Sequence, residues 1–182
     1  MSKSVLIYSG GMDSSVALYW LRHLGHEVRC LGINYGQRHS KELGFAADMC
    51  KGLAVPFQVA DLVNLKWLLP GSSQTQDDIP VPEGHYAEES MKKTVVCNRN
   101  MIMLAIAAGH AMAHKYDRLV FAAHAGDHAI YPDCRPEFAE ALGIALALAD
   151  WNKVKLEGPF LHMSKRDIAM LGKLLQVPFE KT

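Results

Sequence analysis

The sequence predicts an α/β fold: an open parallel sheet of about five strands with helices on both faces. Two observations carry this. Short apolar runs alternate with segments whose apolar residues recur every three to four positions, in the order strand, helix, strand, helix, strand. A glycine pair also sits where the first such strand gives way to the first such helix. In chain order, Val5–Tyr8 reads as a buried strand. A helix follows from Asp13, with Val16, Trp20 and Leu24, joined by Ala17 and Leu21, on its apolar face; Gly25 stops it. Glu27–Asn34 is the second strand. Ser40–Leu53 is the second helix, with Leu43, Ala47, Cys50 and Ala54 on its stripe, and Phe57–Ala60 is the third strand. Asn100–His114 is rich in Ala and Met and carries helix propensity throughout. Leu119–Ala123 is a fourth strand. A helix starts at Pro136 and runs to about Ala149, since proline suits a first helical turn. Val154–Leu156 is a fifth strand. Ser164 caps a last helix that reaches Leu175, and Pro178 ends it.

Length and composition bound the rest. The 182 residues fit one domain, 1–182, with no internal repeat and no second-domain boundary. Residues 64–93 break the rhythm with Pro70-Gly71-Ser72-Ser73 and Asp77-Asp78-Ile79-Pro80; a loop of this length reads as a lid over a substrate or as a surface insertion. Lys plus Arg equals Asp plus Glu, 19 against 19, so there is no basic excess of the kind that grips long nucleic acid. Cys30, Cys50, Cys97 and Cys134 are scattered without a Cys-x-x-Cys pair, which reads as reduced thiols in a cytoplasmic protein. Every apolar stretch falls short of the ~18 residues a spanning helix needs, so no membrane partner is expected.

Ser9-Gly10-Gly11-Met12-Asp13-Ser14 carries the most information. A helix N-terminus offers unpaired N–H groups and the positive end of its dipole. Two glycines let the backbone approach an anion, and the serines add hydroxyls. Asp13 in such a place either caps the helix or holds a magnesium ion. Neither the Gly-x4-Gly-Lys-Ser/Thr loop nor the Gly-x-Gly-x-x-Gly dinucleotide pattern is present.

This hexapeptide resembles the PP-loop of the ATP pyrophosphatases. Four further segments narrow the resemblance: Asn34-Tyr35-Gly36-Gln37-Arg38-His39-Ser40, Val95-Val96-Cys97-Asn98-Arg99-Asn100, Ala123-His124-Ala125-Gly126-Asp127-His128, and Tyr131-Pro132-Asp133-Cys134-Arg135-Pro136-Glu137-Phe138. Together they resemble the 7-cyano-7-deazaguanine synthase family, from Met1 to about Pro178. The resemblance implies an ATP- and Mg2+-dependent ligase of queuosine biosynthesis. It converts 7-carboxy-7-deazaguanine and ammonia into the nitrile (preQ0) through an acyl-adenylate and an amide, releasing AMP and pyrophosphate. A homodimer is also implied. Two departures stand out: Cys97 occupies a position where many members have proline, and the family's four-cysteine zinc segment is absent from these residues.

On this resemblance the nucleotide contacts fall to Tyr8, Ser9, Gly10, Gly11, Asp13, Ser14 and Ser15. The catalytic group is Asp13, Arg38, Arg99 and Lys165. Arg38 pairs with a phosphate or with the substrate carboxylate, or else is a surface arginine. Arg99 is a second phosphate clamp, and Asn100 a substrate contact or a helix cap. Lys165 reaches phosphates or is a solvated charge at a helix start. Tyr35, Asp127, Tyr131, Asp133 and Arg135 complete the substrate site, with Tyr131 stacking on the base and Asp133 accepting from its N–H groups; alternatively, Asp133 caps the helix at Pro136. His124 with His128, or His110 with His114, has weak metal-ligand character, lacking a third ligand nearby in sequence. The competing readings are a tRNA-modifying PP-loop enzyme, a relative that stops at the amide or couples it to another amine, and a nucleotide-binding protein without catalysis.

Overall fold

The computed structural model describes residues 1–37, 41–68, 72 and 95–182. Five strands, β1 (Lys3–Ile7), β2 (Glu27–Asn34), β3 (Phe57–Asp61), β4 (Arg118–Val120) and β5 (Lys155–Glu157), pair in parallel in the order β3-β2-β1-β4-β5. The chain builds outward from β1 to β3, then returns to the other side of β1 for β4 and β5. That reversal opens a crevice beyond the carboxyl ends of β1 and β4, where open α/β sheets bind ligands.

Five helices cover the sheet: α1 (Met12–His23), α2 (Lys41–Gly52), α3 (Arg99–Ala113), α4 (Pro136–Ala149) and α5 (Lys165–Leu174). Side chains alternate across a strand, so neighbours serve opposite cores. Val5 and Leu119 join Leu104, Ala108 and Leu142 under α3 and α4. Leu6 and Val120 join Val16, Leu21, Cys50 and Ile168 under α1, α2 and α5. Leu6, Leu21, Leu104 and Leu119 are each sealed from solvent, and full burial of such a side chain contributes about 1.5–3 kcal/mol. Among the described residues, no helix is long and apolar enough to cross a membrane.

The elements lie within two residues of their expected places in most cases, with three instructive differences. β4 ends at Val120 rather than Ala123, leaving Phe121–Ala123 as extended chain that enters the crevice. On α2, Ala46, Met49 and Cys50 face the core while Ala47 is exposed. On α1, Leu24 sits past the last turn and is exposed. Gly25, at φ 76°, ends α1 by donating to the Arg22 carbonyl while His26 donates to that of Leu21. The same pair of bonds closes α2, α3 and α5 through Ala54, Lys115 and Gln176, at φ 53°, 58° and 58°. There a side chain tolerates a conformation that costs about 1–2 kcal/mol in L-residues.

Candidate functional site

The turn between β1 and α1 is built from one closed ring of hydrogen bonds. The Gly11 N–H donates to Ser9 Oγ (3.2 Å), and the Ser14 hydroxyl donates to the Gly11 carbonyl (3.0 Å). The Ser9 and Ser14 hydroxyls are 3.1 Å apart. Because the Ser14 proton is committed to Gly11, Ser9 is the donor between the two serines. Gly10 has φ 88°, and a Cβ there would stand 2.5 Å from the Glu42 carbonyl of α2. The glycine therefore serves both the turn and the seating of the loop on α2. Beneath it, Tyr8 is sealed in the core, its hydroxyl 3.1 Å from Ser15 Oγ; burial pushes the phenol up to about 12. The Tyr8 and Ser15 side chains thus support the loop from behind.

Asp13, in the first turn of α1, is where three segments meet. Lys165 Nζ, at the start of α5, donates to Asp13 Oδ2 at 2.5 Å. His124 Nε2, after β4, lies 3.9 Å from the same oxygen. Asp13 Oδ1 is buried with no hydrogen-bond partner among the described residues. Lys165 is placed by a reciprocal cap: Ser164 Oγ accepts from the Asp167 N–H, and Asp167 Oδ2 accepts from the Ser164 N–H. The Ser164 hydroxyl, which donates to Asp167 Oδ2 at 2.6 Å, and then the Ser164 N–H hold the Asp167 carboxyl below the usual range.

Across the cleft, Arg99 opens α3. Asn98 precedes it at φ 57°, a left-handed conformation that asparagine tolerates. The Arg99 guanidinium carbon lies 5.8 Å from the ring centres of both Tyr35 and Tyr131, and Nη1 donates to the Tyr35 hydroxyl at 3.4 Å. Burial opposes its charge, but Tyr35, Asp133 and Cys134 outweigh that and raise its pKa. Among the described residues, no carboxylate forms an ion pair with it. A half-buried guanidinium that has no ion pair among the described residues can meet an anionic group.

Both banks face one open cleft of about 380 Å³, lined by Ser9, Gly11, Asp13 and Ser14 on one side and Tyr35, Arg99, Asn100 and Tyr131 on the other. The family model described as "Queuosine biosynthesis protein QueC" matches residues 3–182. The chain belongs to the QueC family. Curated relatives include 7-cyano-7-deazaguanine synthases of Pseudoalteromonas atlantica (47% identical, covering 100% of this chain and 83% of the relative) and Methanoregula boonei (51%, covering 99% and 82%). Among solved structures, the chain is similar to the U34-tRNA thiolase NcsA from Methanococcus maripaludis (TM-score 0.58, 16% identity, covering 97% of this chain and 58% of that one). It is also similar to the NH3-dependent NAD synthetase from Campylobacter jejuni (TM-score 0.57, 17% identity, covering 98% and 66%). These likenesses show that the chain shares their fold.

In this QueC-family chain, the remaining expected residues divide into those in the cleft and those that build it. Asn100 lies in the first turn of α3 and is not its cap; Asp133 caps the helix instead, accepting from the Asn100 N–H at 2.8 Å. Asn100 Nδ2 donates back to the Asp133 carbonyl at 3.1 Å and to Cys134 Sγ at 3.1 Å. Asp133 therefore ties the post-β4 segment to α3 and does not cap the helix at Pro136. Arg135 Nε donates to the His128 carbonyl at 2.9 Å on an exposed edge, and neither it nor Asp133 lines the cleft. Asp127 lines the cleft, with Oδ2 accepting from the His124 N–H at 3.1 Å. Arg38 and most of the 64–93 loop lie outside the described residues.

The QueC-family resemblance implies zinc, but the cysteines here do not form a zinc set. Cys30 and Cys50 are buried on the α1 side of the sheet, Cys134 on the α3 side, and Cys97 is exposed. Burial, with Asp127 and Asp133 nearby, pushes the Cys134 thiol up to about 12, so it is protonated at neutral pH. Among the described residues, no three His, Cys, Asp or Glu side chains are grouped for a metal. Among the described residues, Asp13 Oδ1 is the carboxylate oxygen that is buried without a partner, a donor of the hard oxygen type that magnesium takes. The sequence reading missed the orientation of His124. Its signal was a capping-box spacing, His124 to Asp127, directly after a strand.

Proposed function

We propose that the chain is an ATP-dependent ligase that converts 7-carboxy-7-deazaguanine and ammonia into 7-cyano-7-deazaguanine. The observation that carries this reading is one cleft with a phosphate loop on one bank and, on the other, an arginine between two tyrosines that has no ion pair among the described residues. Relatives 47–51% identical that bear the name 7-cyano-7-deazaguanine synthase support it.

In the first half-reaction a substrate carboxylate oxygen attacks the α-phosphorus of ATP, giving an acyl-adenylate and pyrophosphate. Ammonia then adds to the acyl carbon, AMP leaves, and a proton is lost to give the amide. A second ATP is attacked by the amide oxygen, again releasing pyrophosphate. Loss of AMP and a proton from that adduct gives the nitrile.

The residues divide this work by chemistry. The N–H groups at the start of α1 and the Ser9 and Ser14 hydroxyls, re-aimed from their mutual ring, donate to the pyrophosphate portion. Lys165 leaves Asp13 to meet the same charge. A magnesium ion held at Asp13 would neutralise phosphate charge as pyrophosphate departs. Arg99 takes the substrate carboxylate or the α-phosphate, and Tyr131 and Tyr35 offer ring faces to the planar base. The test incubates 7-carboxy-7-deazaguanine, ATP, magnesium and ammonia, then measures product mass and pyrophosphate. The nitrile mass is expected. The amide alone would assign the chain to a half-reaction, and neither product nor pyrophosphate would overturn the reading.

A further inference from the structure

His124 belongs to none of the roles above, yet its ring is oriented by the turn that follows it, directly behind the cleft-lining Ala123. It is buried, 9% exposed, at the point where the chain leaves β4. The Gly126 N–H donates to its Nδ1 at 3.0 Å, so Nδ1 is an acceptor and the proton of the neutral ring resides on Nε2. Asp127 fixes the other side of the turn by accepting from the His124 N–H, and its Oδ2 lies 3.8 Å from Nδ1. The Ala125 N–H donates to the Met163 carbonyl at 3.1 Å, which ties this turn to the segment that leads into Lys165. The Nε2 that carries this proton lies 3.9 Å from Asp13 Oδ2, too far for a hydrogen bond and about 1 Å from making one.

The gap has a present occupant. Lys165 holds Asp13 Oδ2 at 2.5 Å through a long side chain that is 57% exposed, while Asp13 Oδ1 is buried without a partner among the described residues. Once that ammonium turns to an incoming polyphosphate, the carboxylate loses the donor that fixes its rotamer. The donor placed to replace it is the His124 Nε2–H.

We infer that His124 is a positioning residue: its Nε2–H takes over Asp13 when Lys165 turns to the phosphate chain, so that Asp13 holds one orientation throughout turnover. This rests on reading Asp13 as part of the nucleotide site. Gly126 belongs to the same device, because a Cβ there would stand 2.8 Å from His124 Cε1 and 3.0 Å from Nδ1, displacing the ring.

The test separates the two ring nitrogens. His124→Gln keeps an N–H donor near the Nε2 position, whereas His124→Asn keeps only a group near Nδ1. We expect His124→Asn to lower kcat for pyrophosphate release by about 10–100-fold with little change in KM for ATP, and His124→Gln to recover most of that loss. Gly126→Ala, which keeps the imidazole but moves it, is expected to reproduce the His124→Asn defect, and it carries the test should His124→Asn fail to fold. Independently of turnover, 15N-edited NMR of the histidine side chains should show the Nε2–H tautomer for His124. Its proton should move downfield on addition of magnesium pyrophosphate, and should not do so in Asp13→Asn. Equal losses in the Gln and Asn variants, full activity in His124→Asn, or an Nδ1–H tautomer would each overturn the inference. Absence of pyrophosphate release by the unaltered protein would instead overturn the functional reading, since the NMR measurement does not require turnover.

Discussion

One bank of the cleft comes from the consecutive residues Ser9–Ser14, whereas the other gathers Tyr35 from after β2, Arg99 from the start of α3 and Tyr131 from after β4. The consecutive bank is held by its own hydroxyls and by one helix terminus. The gathered bank depends on a tie between residues 33 apart in sequence, the Asp133 carboxylate on the Asn100 N–H. A motif whose own hydroxyls close a ring needs few segments to hold its geometry. A bank assembled from three segments inherits every shift between them, so its supports matter as much as its contact residues.

Substitutions can break this contrast. The largest expected effect is Asp13→Ala, which removes the one carboxylate in the consecutive bank. Pyrophosphate release should fall by about 10²–10³-fold in a coupled assay, with the thermal midpoint little changed. A variant that keeps nearly full rate would move the phosphate chemistry to the Arg99 bank. Tyr8→Phe probes what lies beneath the loop. The unfolded phenol ionises near 10.0 and the folded one near 12, so above pH 10 the unfolded state sheds a proton that the folded state retains. Stability is whole below pH 10 and declines toward pH 12, by about 2–3 kcal/mol from this residue. Denaturant titrations across that range should show a shallower decline in Tyr8→Phe.

On the gathered bank, Arg99→Lys preserves charge but loses the planar fork. It should reduce kcat/KM for the carboxylate substrate by about 10–100-fold, with a smaller change in KM for ATP. Equal losses for both substrates would place Arg99 on the phosphates. The smallest effect is expected from Asp133→Ala. Loss of the α3 cap should cost about 1 kcal/mol in chemical denaturation and raise KM for the base more than KM for ATP. Unaltered base affinity would show that the gathered bank stands without its tie.

The same contrast governs what the sequence discloses. Ser9–Ser14 was readable because its residues are adjacent and the change from strand to helix period brackets them. Arg99 and Tyr131 were readable as chemistry, but not as neighbours on one bank. The Asp133–Asn100 tie was hidden because a short-range cap at Pro136 explains the same aspartate equally well from local spacing. Gly25 announced the end of α1, while Ala54, Lys115 and Gln176 end their helices in the same conformation without a glycine to mark it. The α2 stripe was misread by one residue because adjacent alanines, Ala46 and Ala47, satisfy helical spacing equally, and only the packing of Ala46 into the core beside Gly10 selects between them.

Gly10 has one more consequence. With its missing Cβ space filled by the Glu42 carbonyl and by Ala46, the loop has no slack of its own against α2. The two form a single mechanical body, so the compliance of the anion site is that of a twelve-residue helix rather than of a turn. Slow amide exchange across α2 would then report the rigidity of the cradle itself, and a substitution on the far side of that helix would be felt at the phosphates without touching them.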